Sequence, residues 1–257
     1  MSEHLRLEID GALAVLTIDR PAKRNAMSFE MWSAVPALMD KVAAEPGVRA
    51  LVIRGTDHFS AGADIGEFAT LRADAEGAQR YSGAVHAAER AIAGLGIPTI
   101  AAISGSCVGG GCELALACDL RVAAPGARFG ITPAKLGIVY HFTSTRQLVG
   151  AVGPAWAKQI LFTGEILDAA TALRIGLVNE VVDDPVARAF ALAETIAARA
   201  EVSVRGAKTI VNRIIDGQVV EDDAVRALYV ESVTGADYAE GVRAFLEKRA
   251  PRFPGGH

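Results

Sequence analysis

The stretch VGGGCELALACD, residues 108–119, constrains the fold more than any other part of the chain. Three glycines lead into a run of Cys, Leu and Ala that is apolar on every side of a helix, broken only by Glu113 in its first turn. A helix without a polar face must be enclosed by further layers of structure, which puts the Glu113 carboxylate where solvation is poor. One account of it is local: free N–H groups and the dipole at a helix N-terminus stabilise a negative charge, and the glycines form a tight turn from strand to helix. The other is chemical: glycines let a ligand approach the backbone, whose N–H groups bind a developing oxyanion while Glu113 reacts beside it.

The enclosing layers are legible on both sides of this segment. LRLEIDGALAVLTIDRP alternates apolar and polar residues about Asp10-Gly11, the pattern of a hairpin with a glycine turn. Ser28 is placed to cap a helix through FEMWSAVPALMDKVAAEPG, with Pro36 bending it and Gly47 past its end. VRALVIRG, IPTIAAISG and DLRVAAP read as buried strands, separated by the glycine loop FSAGADIGEF, a helix around residues 80–95 and the apolar helix itself. Strands alternating with helices predict βαβ units around a mostly parallel sheet. Beyond residue 144 the strand signals nearly vanish, and the pattern is helical from STRQLVGAVG to a long stretch between Val219 and Arg249. The expectation is an α/β core followed by a helical C-terminal region, with no compositional break marking a linker.

With 257 residues, 51% of them apolar, the chain can bury a large core. Its net charge of −4 and lack of a dense Lys/Arg run argue against nucleic acid as a partner. Cys107, Cys112 and Cys118 show neither a CxxC spacing nor a nearby histidine pair, so they read as packing thiols rather than as disulfide or zinc ligands. MSEHLRLEID lacks the cationic start and apolar stretch of a signal peptide, and no apolar run reaches membrane-spanning length. A cytoplasmic location without a membrane partner is expected.

The ordered motifs RPAKRNAMS, FSAGADI, GSCVGGGCELALACD, FGITPAKLG, FTGEILDAATALRIGLVNEVV and EGVRAFLEKRAPRF resemble the crotonase superfamily, the enoyl-CoA hydratase/isomerase proteins. The likeness implies a crotonase-like spiral of ββα units over residues 1–200 and a helical region, 201–257, for oligomer contacts and closure of the CoA site. It also implies a homotrimer or a dimer of trimers, and an acyl-CoA thioester substrate of which CoA is a part, with no separate cofactor and no metal. By the family pattern the thioester oxygen lies between the N–H groups of Ala63 and Gly110, which stabilise the enolate without reorganising water. The resemblance assigns the pantetheine and nucleotide wall to Ala22 and to Lys23 or Arg24, and the adenine pocket to Ala61, Asp64 and Ile65. Phe245 and Lys248 match a helix that closes over the nucleotide, often from a neighbouring subunit. Gly66 stands where many relatives carry a lysine, which removes one phosphate contact.

Conventional hydratases of this family use two glutamates, one in GGxxE and one in FGxPExxLG. Glu113 matches the first, but FGITPAKLG puts Pro133 at the second, and a shift of register offers only Thr132 or Ala134. What fills the gap is GITPAKLGIVYH, with Thr132, Tyr140 and His141. This segment, and the ending DYAEGVRAFLEKRAPRF, resemble the methylmalonyl-CoA decarboxylase branch. Decarboxylation needs a stabilised enolate and an oriented carboxylate, but no base to remove a carbon-bound proton, so one acid suffices. On that reading Tyr140 and Thr132 orient the substrate carboxylate, and Glu113 desolvates it or mediates reprotonation. The alternative is an enoyl-CoA hydratase or isomerase of fatty acid metabolism working with Glu113 alone, and a third reading is a CoA-binding protein without turnover.

Overall fold

The computed structural model describes residues 2–253. The N-terminal hairpin forms as the alternation predicts, with β1 (Leu5–Asp10) antiparallel to β2 (Leu13–Ile18) and Asp10 opposite Leu13. Ser28 accepts a hydrogen bond from the Met31 N–H at 3.2 Å and starts α1 (Phe29–Ala44), which runs through Pro36 without interruption. Next come β3 (Ala50–Gly55), the short α2 (Phe68–Leu71), α3 (Ala75–Ala93) and β4 (Thr99–Ile103). They are followed by β5 (Ser106–Val108), the apolar helix α4 (Gly110–Ala117), β6 (Leu120–Ala123) and β7 (Arg128–Gly130).

The remainder is mostly helical, as expected, with two corrections. Between α5 (Phe142–Thr163) and α6 (Ala169–Arg174) lies β8 (Leu167–Asp168), and β9 (Glu180–Val181) precedes α7 (Pro185–Ala197). Each strand has two residues, too few to show a period, and each exists because a partner strand is already in place. β9 extends the main sheet, whose order is β1-β2-β3-β4-β6-β9, by pairing with β6; β8 completes a small sheet ordered β5-β7-β8. Within the main sheet only the β1–β2 pair is antiparallel.

A parallel sheet needs cover on both faces, which is why β3 and β4 are continuous apolar runs. On one face α1, α3 and α4 pack into the larger core with Trp32, Met39, Ile53 and Phe129. On the other, Ala189 and Ala193 of α7 meet Val52, Ile100 and Val122. All eight residues of α4 are buried, including Glu113, so the enclosure that its composition demands is complete. The three cysteines are buried free thiols, and Cys112 Sγ donates to the Cys107 carbonyl. The C-terminal helices α8 (Glu201–Ile215), α9 (Asp223–Thr234) and α10 (Ala236–Leu246) are joined to this core through α8. Its Lys208 ammonium reaches the Asp119 carboxylate and the Ile97 carbonyl, each at 2.8 Å.

Candidate active site

The site begins with two loops pressed together. Buried Asn25, in the left-handed region at φ 58°, takes the Arg20 N–H on its side-chain oxygen at 2.7 Å and donates to the carbonyls of Thr56 and His58. This clamps the turn after β2 to the loop after β3. Met27 then bridges Ala63: its N–H donates to the Gly62 carbonyl at 2.7 Å, and its carbonyl accepts from Asp64 at 2.9 Å. The same loop is held against β5, since the Ser60 N–H donates to Ser106 and the Val108 N–H donates to Ser60.

The consequence is a pair of backbone donors with nothing to donate to. Neither the Ala63 N–H, passed over by the Met27 bridge, nor the Gly110 N–H, in the first turn of α4, has a protein acceptor among the described residues. They are neighbours: a β-carbon on Gly110 would lie 3.4 Å from the Ala63 nitrogen and 2.8 Å from Cζ2 of Trp32. Gly62, at φ 98°, is just as confined, for its β-carbon would meet the Val108 carbonyl oxygen at 2.6 Å. These glycines therefore allow the two loops and the Trp32 indole to close on one another, and the close approach makes the donor pair. Gly110→Ala is expected to cost about 1–3 kcal/mol of stability through overpacking, measured by denaturant unfolding. By displacing one donor it is also expected to lower kcat roughly a hundredfold.

Both donors line a cavity of about 210 Å³ that also receives Glu113. Glu113 is 8% exposed, and its pKa is pushed up to about 8, first by burial and next by the negative charge of Glu89. Hydrogen bonding from Tyr140 and Ser144 and the charge of Arg72 oppose the rise without cancelling it. Glu89, on α3, is wholly buried; its carboxylate accepts from Ser144 Oγ at 2.6 Å through one oxygen, and the other oxygen has no partner. Its own pKa is raised to about 7 by burial, against the pull of Ser144 and Arg90. Two carboxyls in one apolar enclosure cannot both ionise readily, so the pair retains a proton near neutrality. The Tyr140 hydroxyl lies close enough to Glu113 to favour its ionised form, yet makes no hydrogen bond of normal geometry. Burial and the Glu113 charge hold that phenol well above its ordinary pKa.

Of the residues expected from the sequence, Ala61, Ala63, Ile65, Gly110, Glu113, Thr132 and Tyr140 line this one cavity. Pro133 lines it too, so the position of the family's second glutamate faces the site without an acid. Ala22, Lys23 and Arg24 stand on an exposed turn outside it. Asp64 is committed elsewhere: it pairs with Arg20 at 2.7 Å and caps the turn at Gly66, and these bonds outweigh burial and lower its pKa. Phe245, 83% exposed on α10, and Lys248 are also outside the cavity, so within one chain they do not close it. Sequence reasoning missed Trp32, Arg72, Tyr81 and Glu89. For Glu89 a signal existed: Tyr81, Val85, Ala88 and Ile92 recur at helical spacing on the buried face, and Glu89 falls within that stripe.

A buried carboxyl beside two unpaired backbone donors, on an α/β core with a helical C-terminal region, is an arrangement that can hold a carbonyl oxygen beside an acid. Residues 8–256 match the family model for enoyl-CoA hydratase/isomerase. The chain belongs to this family. It is 37% identical over 256 or more positions to relatives that include the crotonyl-CoA hydratase of Syntrophomonas wolfei, with 98% of each chain covered. It is 35% identical to the mitochondrial methylglutaconyl-CoA hydratase of Rattus norvegicus, covering 98% of this chain and 82% of that one. Among solved structures, an enoyl-CoA hydratase/isomerase family protein from Hyphomonas neptunium superposes with a TM-score of 0.94 at 41% identity, over 97% of both chains. The crotonase fold expected from the motifs is thereby established, and the protein is an acyl-CoA enzyme of that family.

Proposed function

We propose that the protein is an enoyl-CoA hydratase that works with Glu113 as its only carboxyl in contact with substrate. The carrying observation is that Glu113 enters the same cavity as the free N–H groups of Ala63 and Gly110. The thioester oxygen accepts from both N–H groups, which draws electrons from the C2=C3 bond. An ionised Glu113 takes a proton from water as the water oxygen bonds to C3, and the same carboxyl returns that proton to C2 of the enolate. Atoms and charge balance with one carboxyl, because hydration consumes no net proton. The absent second glutamate is then no obstacle. Each oxyanion donor is commonly worth about 2.7–4 kcal/mol in the transition state.

The relatives favour hydration over the decarboxylation expected from the GITPAKLGIVYH segment, since the Syntrophomonas wolfei and Rattus norvegicus proteins are named as hydratases. The position of Thr132 and Tyr140 on the cavity wall remains compatible with carboxylate orientation. Crotonyl-CoA and methylmalonyl-CoA, incubated separately with the protein and followed by mass spectrometry, decide between the two. Gain of one water by crotonyl-CoA supports the proposal. Propionyl-CoA from methylmalonyl-CoA, with crotonyl-CoA unchanged, replaces it with the decarboxylase reading.

The nucleotide contacts of Ala22, Lys23 or Arg24, Ala61 and Ile65 belong to the same proposal, as does a homotrimer or dimer of trimers. Val230, Val233, Phe245 and Leu246 of α9 and α10 are more than half exposed, which supports a covering subunit there.

A further inference from the structure

One part of the cavity wall is more polar than an unbranched hydrocarbon chain requires. Gly110 closes on the Trp32 indole, the indole N–H lies beside the Tyr81 hydroxyl, and Arg72 lines the same cavity. The Trp32 indole N–H and the Tyr81 hydroxyl are buried and lie close together, yet neither makes a hydrogen bond of normal geometry. The half-buried Arg72 guanidinium lies over the Phe68 ring at 4.4 Å and over the Tyr81 ring at 5.6 Å, and makes no ion pair or side-chain hydrogen bond among the described residues. The nearby acid Glu67 does not pair with it, and instead accepts from the Phe29 N–H at 2.8 Å. Apart from the phenol oxygen beside the indole N–H, this wall offers its three donors no acceptor, a costly arrangement for buried polar groups unless a ligand supplies one.

Resting on the acyl-CoA reading of the site, we propose that Arg72 and Tyr81 bind a carboxylate at the far end of the acyl group, so that the enzyme acts on mono-CoA thioesters of short dicarboxylic acids. A carboxylate is the acceptor that matches the planar fork of a guanidinium and has oxygens to spare for a phenol. Arg72 lies near enough to the reacting centre for its charge to act on Glu113, so the carboxylate it receives belongs to an acyl group of only a few carbons. The cavity volume of about 210 Å³ is below the roughly 300–1,000 Å³ of pockets for drug-sized ligands, which suits a short acyl group. Arg72 already stacks on two rings, so its side chain is partly ordered before the ligand arrives.

Binding without turnover tests this independently of the reaction. Glutaryl-CoA and hexanoyl-CoA have similar length and differ in the terminal charge, and isothermal titration gives the ratio of their affinities. The wild-type protein is expected to favour glutaryl-CoA at least fivefold, and Arg72→Gln to lower that ratio about tenfold or more. Tyr81→Phe, which removes one oxygen, is expected to lower it by a smaller factor and serves if Arg72→Gln does not fold. Equal weakening of both ligands by Arg72→Gln would assign Arg72 to the CoA body and overturn the proposal. So would a wild-type preference for hexanoyl-CoA. Glutaconyl-CoA, which is crotonyl-CoA with a carboxylate added, is the expected better substrate by kcat/KM. If neither is hydrated while the Arg72-dependent glutaryl-CoA preference holds, the hydratase reading falls and the subsite stands.

Discussion

Glu113→Gln is expected to lower kcat/KM for crotonyl-CoA hydration by roughly 10²–10⁴-fold while leaving the protein folded. Glutamine matches the shape of a protonated glutamate, and with its pKa at about 8 Glu113 holds its proton through much of the neutral range, so the enclosure loses little. What is lost is the capacity to accept a proton from water. The same assignment fixes the pH dependence. Glu113 must be ionised to act as base, so wild-type kcat/KM rises with pH toward about 8. A Glu113→Gln enzyme with more than a tenth of wild-type activity, or a wild-type profile that falls between pH 6 and 8, would remove Glu113 from its assigned role.

Glu89→Gln is expected to move that rise to lower pH and to stabilise the protein in mild alkali. Glu89 raises the Glu113 pKa through its charge; once it is neutral, Glu113 ionises more easily. For stability, both carboxyls have folded pKa values, about 7 and about 8, above the ordinary 4.5. Below about pH 4.5 folded and unfolded chains both hold these protons and the two groups cost nothing. As pH rises the unfolded chain releases them first, so stability is lost progressively until the folded values are passed. The wild-type Tm therefore falls from pH 5 to pH 8 on account of this pair. Removing the Glu89 charge relieves a penalty of a few kcal/mol, a gain at pH 8 of roughly 5–10 °C in Tm. Glutamine retains an oxygen to accept from Ser144, so the hydrogen bond at 2.6 Å has a successor. Thermal scans of both proteins at pH 5 and pH 8 check this, and an unchanged difference between the two pH values would refute the linkage.

The two carboxyls illustrate what could be read from the chain. Glu113 was found because GGGCELALA is locally complete: the glycines, the acid and the apolar run fall within a single turn and helix. The motifs around Ala63 and Gly110 are local in the same way and carry the resemblance to the family. Glu89 was not found, although it lies in a stripe with Tyr81, Val85, Ala88 and Ile92, because AAERAIAGL also reads as an ordinary amphipathic helix with its charge outward. Only the packing of α3 against α4 turns it inward, beside Ser144, which lies 55 positions further along the chain. Arg72 and Trp32 escaped for a related reason: neither stands in a motif, and their place on the cavity wall follows from the closure of distant loops.

Strands and helices longer than about one period declare themselves, since the alternation of LRLEID or the cap at Ser28 is a property of neighbouring residues. The sequence by itself thus determined the hairpin, the parallel core, the buried α4 and the helical C-terminal region. Tertiary structure decided the two-residue strands β8 and β9, the clamp of Asn25, the unpaired donors at Ala63 and Gly110, and the coupling of Glu89 to Glu113. The physical reason is that local conformational preference acts between adjacent residues, whereas desolvation, charge coupling and hydrogen-bond satisfaction depend on which distant groups the closed core brings together.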